Sequence, residues 1–106
     1  MAEWSLGNQP DINMNSISAQ AFKENLNAIV VLDIRTQREW DDFNVGGIHI
    51  PLDDLLQRIN EISTEKSYTL ICYNGTQSHI ACQLLTAKGF KNCRNLEGGL
   101  EAFLSL

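Results

Sequence analysis

The chain has 106 residues, of which 13 are acidic and eight are basic, so its formal net charge at pH 7 is −5. This length fits one domain, and the acidic surface repels phosphate backbones and anionic lipids, so neither nucleic acid nor a membrane is an expected partner. Hydrophobic residues make up 43% of the chain and charged residues 20%, which excludes the composition of a disordered protein.

The N-terminal segment and the cysteines indicate the cellular compartment of the protein. Residues 1–10 contain turn formers without periodicity and are predicted to be a flexible tail, with residues 11–106 forming one domain. The tail lacks the basic and apolar regions of a signal peptide. The three cysteines include no CxxC pair, which favours neither a disulfide framework nor a zinc site. We therefore expect a cytoplasmic protein with no metal and no other cofactor.

Five short segments after the tail are predicted to be β-strands. The clearest are residues 29–32 and 68–72, which are apolar on successive positions and rich in β-branched or aromatic side chains. Strands buried on both faces have this pattern. Weaker candidates are residues 11–15, 47–50 and 92–95.

Helical patterns lie between these strands. Phe22 and Leu26 indicate a helix after the first strand. Thr36 and Glu39 match a capping box, which predicts a short helix after the second strand. Residues 52–62 are predicted to form an amphipathic helix, because their apolar residues recur at spacings of three and four: Leu52, Leu55, Leu56, Ile59 and Ile62.

Two further helices complete the pattern. One is predicted to end before Gly89, which lies where a C′ glycine would terminate a helix. Its apolar stripe consists of Ile80, Ala81, Leu84 and Leu85. The last helix is predicted from Leu100, Phe103 and Leu104. Alternating strands and helices indicate an α/β fold with a mostly parallel sheet and helices on both faces. Sites in such sheets form at the carboxyl ends of strands, here after Leu32 and Ile71.

Cys72 ends the second clear strand and precedes a short polar loop. A helix is predicted to begin near Gln77 or Ser78, and its N-terminus carries partial positive charge and free N–H groups. These groups favour the thiolate, which is the nucleophilic form of cysteine. If Gly75 lets the loop curve into a semicircle, backbone N–H groups converge on the Cys72 sulfur and hold a thiolate or a persulfide.

Several other residues allow a structural as well as a functional interpretation. Cys82 and Cys93 are expected to be inert packing residues. Asp33 is expected to accept hydrogen bonds from the Cys72 loop, and Arg35 to pair with a nearby carboxylate. The alternative is ordinary capping with a surface Arg35–Glu39 pair. We favour supporting rather than catalytic roles for Asp33 and Arg35.

Two histidines and a tyrosine lie near these segments. His79 is placed to protonate a leaving group, but a solvated helix position is favoured. His49 is interpreted as structural. Tyr73 either forms a wall of the substrate mouth or is an incidental exposed aromatic residue.

Four ordered segments resemble the rhodanese family. Residues 72–78 are similar to its Cys-x-x-Gly-x-x-Ser active-site loop, and residues 33–40 to its Asp-x-Arg segment followed by a Glu-aromatic pair. Residues 46–52 resemble the Gly-Ala-x-Asn-Ile-Pro-Leu stretch, and residues 89–103 the closing Gly-Phe and Gly-Gly-x-x-x-aromatic segments. Together the four segments cover nearly all of the chain after the tail.

This resemblance implies a rhodanese-like fold with a five-stranded parallel sheet and sulfur transfer through a Cys72 persulfide. The donor would be thiosulfate or another sulfane-sulfur compound, and the acceptor cyanide, a small thiol or a protein thiol. Asp33 and Arg35 would support the site. The resemblance also implies that the loop binds substrate and persulfide through Tyr73, Asn74, Gly75, Thr76, Gln77 and Ser78.

The loop departs from many thiosulfate-using relatives because it contains no Lys or Arg. With the net charge of −5, this predicts weak saturation by thiosulfate. Two alternatives stay open: a protein-to-protein persulfide relay and a non-catalytic binding module. A Cys-x5-Arg phosphatase is disfavoured, because Ser78 occupies the position of the arginine that binds the oxyanion.

Overall fold

The computed structural model of the chain describes residues 15–106. Five β-strands lie within this range: β1 Ser16–Ile17, β2 Val31–Asp33, β3 Ile48–His49, β4 Ser67–Ile71 and β5 Asn92–Leu96. The same range contains four α-helices: α1 Ala19–Glu24, α2 Gln37–Asp42, α3 Thr76–Ala87 and α4 Gly99–Leu104. The predicted tail, 1–10, and residues 11–14 of the first predicted strand lie outside the described residues.

The strands form one parallel sheet in the order β1-β5-β4-β2-β3. β2 and β4 are neighbours, and Asp33 pairs with Ile71 in their register. The pairing continues beyond the strands, because the Ile34 N–H donates to the Ile71 carbonyl at 3.1 Å. The predicted parallel sheet is confirmed, and the carboxyl ends of β2 and β4 meet at one edge.

Side chains of β4 alternate between two hydrophobic layers. Tyr68, Leu70 and Cys72 belong to a cluster with α3, whereas Ile71 packs with α1 and α4 on the opposite side. Burial on both faces explains why this strand is apolar at successive positions. Helices therefore cover both faces, as predicted. No helix among the described residues is long and apolar enough to cross a membrane.

Both predicted helix-terminal motifs are present. Thr36 and Glu39 form a reciprocal capping box at the start of α2. Gly89 follows α3 in a Schellman motif, in which the Phe90 N–H donates to the Leu85 carbonyl at 3.0 Å. These hydrogen bonds satisfy backbone groups that the helices themselves leave unpaired.

The buried face of α3 differs from the predicted stripe. Ile80 and Leu84 are 48% and 38% exposed. The buried residues follow the i, i+3, i+4, i+7 pattern from a polar starting point: Ser78, Ala81, Cys82 and Leu85. Ala81 and Leu85 of the predicted stripe are therefore buried as expected, whereas Ile80 and Leu84 are not, and hydrophobicity alone does not select the buried Ser78.

The prediction of an α-helix over residues 52–62 is wrong. The segment instead contains two 3₁₀ turns, Leu52–Asp54 and Ile59–Glu61. Such turns align residues three apart, which suits the spacing of Leu52 to Leu55 and of Ile59 to Ile62. Leu55 and Ile62 are consequently buried although the segment is not α-helical.

Leu55 and its neighbour Leu56 offer a matched test of this segment, because Leu55 is fully buried and Leu56 is 49% exposed. Leu55→Ala should lower the free energy of unfolding by about 2–5 kcal/mol through lost burial and a cavity. Leu56→Ala should change it by no more than about 0.5 kcal/mol. Urea unfolding monitored by circular dichroism measures both values. Equal losses in the two variants would contradict the described packing.

Candidate active site

The Cys72 sulfur lies directly after β4 and receives backbone hydrogen bonds from the loop that follows. The Gly75 N–H donates to Sγ at 3.1 Å and the Ser78 N–H at 3.3 Å, while the Ser78 hydroxyl oxygen lies 3.2 Å from Sγ. Cys72 is only 2% exposed. Donors aimed at a sulfur with little access to water stabilise negative charge on it.

Gly75 gives the loop its curvature. Its φ is +91°, and an added Cβ would lie 3.0 Å from the backbone nitrogen of Gly98. α3 begins at the next residue, so its positive end faces the sulfur. The Asn74 side chain accepts a hydrogen bond from the Thr76 N–H at 3.0 Å and stabilises the turn.

The start of α4 fixes the other side of the loop. The Leu100 N–H donates to the Cys72 carbonyl at 3.0 Å, and the Glu101 N–H to the Tyr73 carbonyl at 2.8 Å. A side chain on Gly99 would overlap the Tyr73 carbonyl. The sequence showed this glycine only as part of a family resemblance; its close approach to the loop explains why a glycine is needed.

Cys72 opens onto a cavity of about 450 Å³. One wall comes from the loop and the helix start: Tyr73, Asn74, Thr76 and Gln77. The opposite wall comes from the segment after β2: Arg35, Thr36 and Glu39. The structure thus brings the expected loop residues and Arg35 together around Cys72.

Asp33 binds Arg35 and not the Cys72 loop. The buried Asp33 carboxylate accepts hydrogen bonds from the Arg35 backbone N–H at 3.0 Å and from its guanidinium at 2.8–3.1 Å. Within residues 15–106 the carboxylate has no hydrogen bond to the loop, so that expectation is wrong. A bidentate guanidinium and an adjacent N–H already satisfy its oxygens.

Arg35 pairs with a nearby carboxylate, as expected, and that carboxylate belongs to Asp33. Its guanidinium also donates to the backbone carbonyls of Glu39, at 3.3 Å, and Phe43, at 2.7 Å. The alternative surface pair is wrong, because the Glu39 carboxylate is engaged by Thr36. Arg35 therefore connects the end of β2 to α2.

This pairing determines the electrostatics of the cavity. Arg35 is the single basic residue among the described residues that line the cavity, and the adjacent Asp33 balances its charge. Glu39 contributes a carboxylate to the same wall. An anion at Cys72 would consequently depend on backbone N–H groups and the α3 terminus.

The histidines lie away from the reacting sulfur. His49 Nε2 lies 2.8 Å from the Arg35 carbonyl oxygen, and its ring stacks on Trp40 at 4.7 Å between centroids. These contacts agree with a structural interpretation. His79 lines a separate cavity with Cys82, so nothing in the geometry supports a role as acid at Cys72. Tyr73, which is 54% exposed, does line the Cys72 cavity.

Cys82 and Cys93 have surroundings that suppress ionisation. Burial raises the pKa of Cys82 to about 12, and the neighbouring Cys93 adds to the effect. Burial also raises the pKa of Cys93 to about 11. Both side chains lie in the hydrophobic layer beside α3. They stay protonated at neutral pH, which agrees with the expectation that they are inert.

A larger cavity, of about 550 Å³, lies at the opposite, amino-terminal edge of the strands. Its cysteine is Cys93, whose high pKa leaves little thiolate. The cavity at Cys72 is the better candidate, since it lies at the carboxyl ends of parallel strands and contains a sulfur with N–H donors.

Asn95 is a neighbour of the site that the sequence did not indicate. The Ser78 hydroxyl donates a hydrogen bond to Asn95 Oδ1. Asn95 lies on β5 in register with Leu70, and both Asn95 and Ser78 are buried. The sequence held no clear signal for it, because the weak predicted strand 92–95 also contains the polar residues Asn92 and Arg94.

Comparisons with known proteins point to one family. The family model described as "Rhodanese-like domain" matches residues 18–106. The putative sulfur carrier protein YrkF of Bacillus subtilis (strain 168) is 31% identical over 88 residues, and the match covers 79% of this chain but only 48% of that relative. The putative sulfurtransferase YtwF of the same organism is 29% identical over 96 residues, covering 87% of this chain and 92% of that protein.

The fold is also similar to solved structures. The crystal structure of a rhodanese-related protein from Thermoplasma volcanium superposes with a TM-score of 0.78 at 30% sequence identity. The match covers 86% of this chain and 91% of that one. The two chains therefore share their architecture over nearly their whole lengths.

The three cysteines should react with iodoacetamide at very different rates. At pH 8 we expect alkylation of Cys72, whereas the thiolate fraction of Cys93 is roughly 10⁻³ and that of Cys82 lower still. Alkylation of the latter two should rise only as the pH approaches 11 to 12. Peptide mass mapping of the folded protein measures each site. Equal labelling of all three at pH 8 would contradict the assignment.

Proposed function

The chain belongs to the rhodanese-like domain family, and we propose that it moves a sulfane sulfur from a donor such as thiosulfate to a thiophilic acceptor through a persulfide on Cys72. The observation that carries this proposal is the pair of backbone N–H groups, from Gly75 and Ser78, that donate to the Cys72 sulfur at 3.1 and 3.3 Å. They lie at the N-terminus of the 12-residue helix α3.

In the first half-reaction the Cys72 thiolate attacks the outer sulfur of thiosulfate. A new S–S bond forms, the S–S bond of thiosulfate breaks, and sulfite leaves with the bonding electron pair. The terminal sulfur of the resulting persulfide carries the negative charge. Loop N–H groups and the positive end of α3 stabilise this charge.

In the second half-reaction cyanide or a thiol attacks the terminal sulfur. The persulfide S–S bond breaks, its electron pair returns to Cys72 as thiolate, and thiocyanate or the persulfide of the acceptor leaves. Neither half-reaction requires a dedicated general base when the loop already keeps Cys72 ionised. The absence of a histidine from the described cavity lining is compatible with this scheme.

Three backbone groups are available to hold the transferred sulfur. Tyr73, Asn74 and Gln77 line the cavity, and their N–H groups have no acceptor within residues 15–106. Because unpaired backbone N–H groups at a loop and a helix N-terminus bind anions, these three are the expected contacts for the outer sulfur or for the leaving sulfite. They complement the two N–H groups that contact Sγ itself.

A protein persulfide is a second candidate donor. The cavity has no uncompensated cation among its described residues, which weakens the attraction for dianionic thiosulfate. The relative YrkF is named a putative sulfur carrier protein, which fits transfer between proteins. Both routes use the same Cys72 chemistry and need a free thiol, so we place the protein in a reducing cytoplasm.

A purely non-catalytic module would not need N–H donors on this sulfur.

Replacing the nucleophile tests the proposal. Cys72→Ser should lower thiocyanate formation from thiosulfate and cyanide by about 10³-fold or more, because serine does not form a thiolate or a persulfide. The double variant Cys82→Ser/Cys93→Ser serves as the matched control and should retain most of the activity of its folded fraction. Wild-type rates in the Cys72 variant would exclude the proposed mechanism.

Adding a positive charge at the cavity should improve the use of thiosulfate. Gln77 is the suitable position, because its exposed side chain makes no hydrogen bond within the described residues, whereas Asn74 accepts one from Thr76. Gln77→Lys should lower the KM for thiosulfate roughly threefold to tenfold. Gln77→Met, of similar length but uncharged, should leave the KM unchanged. If the two variants have the same KM, charge is not what limits thiosulfate binding.

A further inference from the structure

We propose that Asn95 is a positioning residue that acts through Ser78 to favour ionisation of Cys72. This inference rests on the proposed role of Cys72 as nucleophile. The three side chains form a chain of contacts: Sγ lies 3.2 Å from the Ser78 hydroxyl, which donates to Asn95 Oδ1. Ser78 is fully buried and Asn95 nearly so, which limits replacement of these contacts by water.

The Ser78 hydroxyl has one proton and two neighbours that can accept it. When it donates to Asn95, the contact with sulfur requires Cys72 to donate its own S–H proton, so this arrangement belongs to the neutral thiol. When Cys72 loses its proton to water in the cavity, the thiolate can only accept. Ser78 must then turn its proton toward the sulfur.

Asn95 is able to support both arrangements. A rotation of about 180° about its last side-chain bond exchanges the carboxamide oxygen for the NH₂ group. The NH₂ group then donates to Ser78 while Ser78 donates to the thiolate, so the Ser78 hydroxyl keeps both of its contacts. An aliphatic residue at this position would leave the Ser78 oxygen without that donor, and an aspartate would only accept.

Charged and titratable groups on the surrounding elements remain unchanged in the variants below. They include Asp33 and Arg35 at the end of β2, Glu39 on α2, Tyr73 in the loop, His79 and Cys82 on α3, Cys93 and Arg94 on β5, Glu97 after β5 and Glu101 on α4. Because none of them is altered, a shift in the ionisation of Cys72 reports the contact between Asn95 and Ser78.

The test measures how the rate of Cys72 alkylation by iodoacetamide depends on pH in the full chain, without any sulfur donor. Asn95→Leu should move the pH midpoint upward by about one unit, because a hydrogen-bond donor to the Ser78–thiolate pair is lost. Asn92→Leu is the matched control, since Asn92 is exposed on the same strand, and it should not move the midpoint. If the leucine variant does not fold, Asn95→Val removes the same hydrogen-bond donor.

A double-mutant cycle separates positioning from packing. In a Ser78→Ala background, Asn95→Leu should cause no further shift, whereas in Ser78→Thr, which keeps the hydroxyl, the shift should persist. An unchanged midpoint in Asn95→Leu, or the same shift with and without the Ser78 hydroxyl, would overturn the proposal. Alkylation needs no sulfur transfer, so failure of the proposed sulfurtransferase activity would be seen separately, in thiocyanate formation.

Discussion

The convergence of backbone N–H groups on the Cys72 sulfur is the interaction on which the rest of the site depends. It requires a strand that ends at the right edge, a left-handed turn at Gly75 and a helix that begins immediately afterwards. Backbone N–H groups at the start of α4 donate hydrogen bonds to the carbonyls of Cys72 and Tyr73 and so fix the loop. Segments distant in the sequence therefore cooperate to present fixed dipoles to one atom, a form of preorganisation that needs no charged side chain.

The Asp33–Arg35 pair contributes geometry to this arrangement. A buried ion pair gains little net stability, because desolvation of both groups offsets their attraction. Arg35 uses its remaining donors on the carbonyls of Glu39 and Phe43, so the pair connects the end of β2 to the middle and the C-terminal cap of the following helix. The wall of the cavity that faces Cys72 is thereby held in place, while the balanced charge leaves the loop dipoles as the main attraction for an anion.

Local patterns in the sequence predicted the parts of this structure that depend on local physics. The strand ending at Cys72, the capping box of Thr36 and Glu39 and the C′ position of Gly89 each follow from neighbouring residues. Where tertiary packing decides, the predictions failed. The apolar spacing of residues 52–62 fits 3₁₀ turns as well as an α-helix, and the sequence does not indicate which of them the neighbouring sheet accepts. The partner of Asp33 and the contact between Ser78 and Asn95 depend on side-chain geometry across the fold, which periodicity does not describe.

The central claim is that Cys72 carries sulfur as a covalent intermediate. Its most direct test is mass spectrometry of the protein after incubation with thiosulfate and, in parallel, with a protein persulfide donor, each sample measured before and after addition of cyanide. The account predicts one added sulfur atom on the peptide that contains Cys72, removed by cyanide. Absence of that mass with both donors, in a protein whose Cys72 still reacts with iodoacetamide, would contradict it.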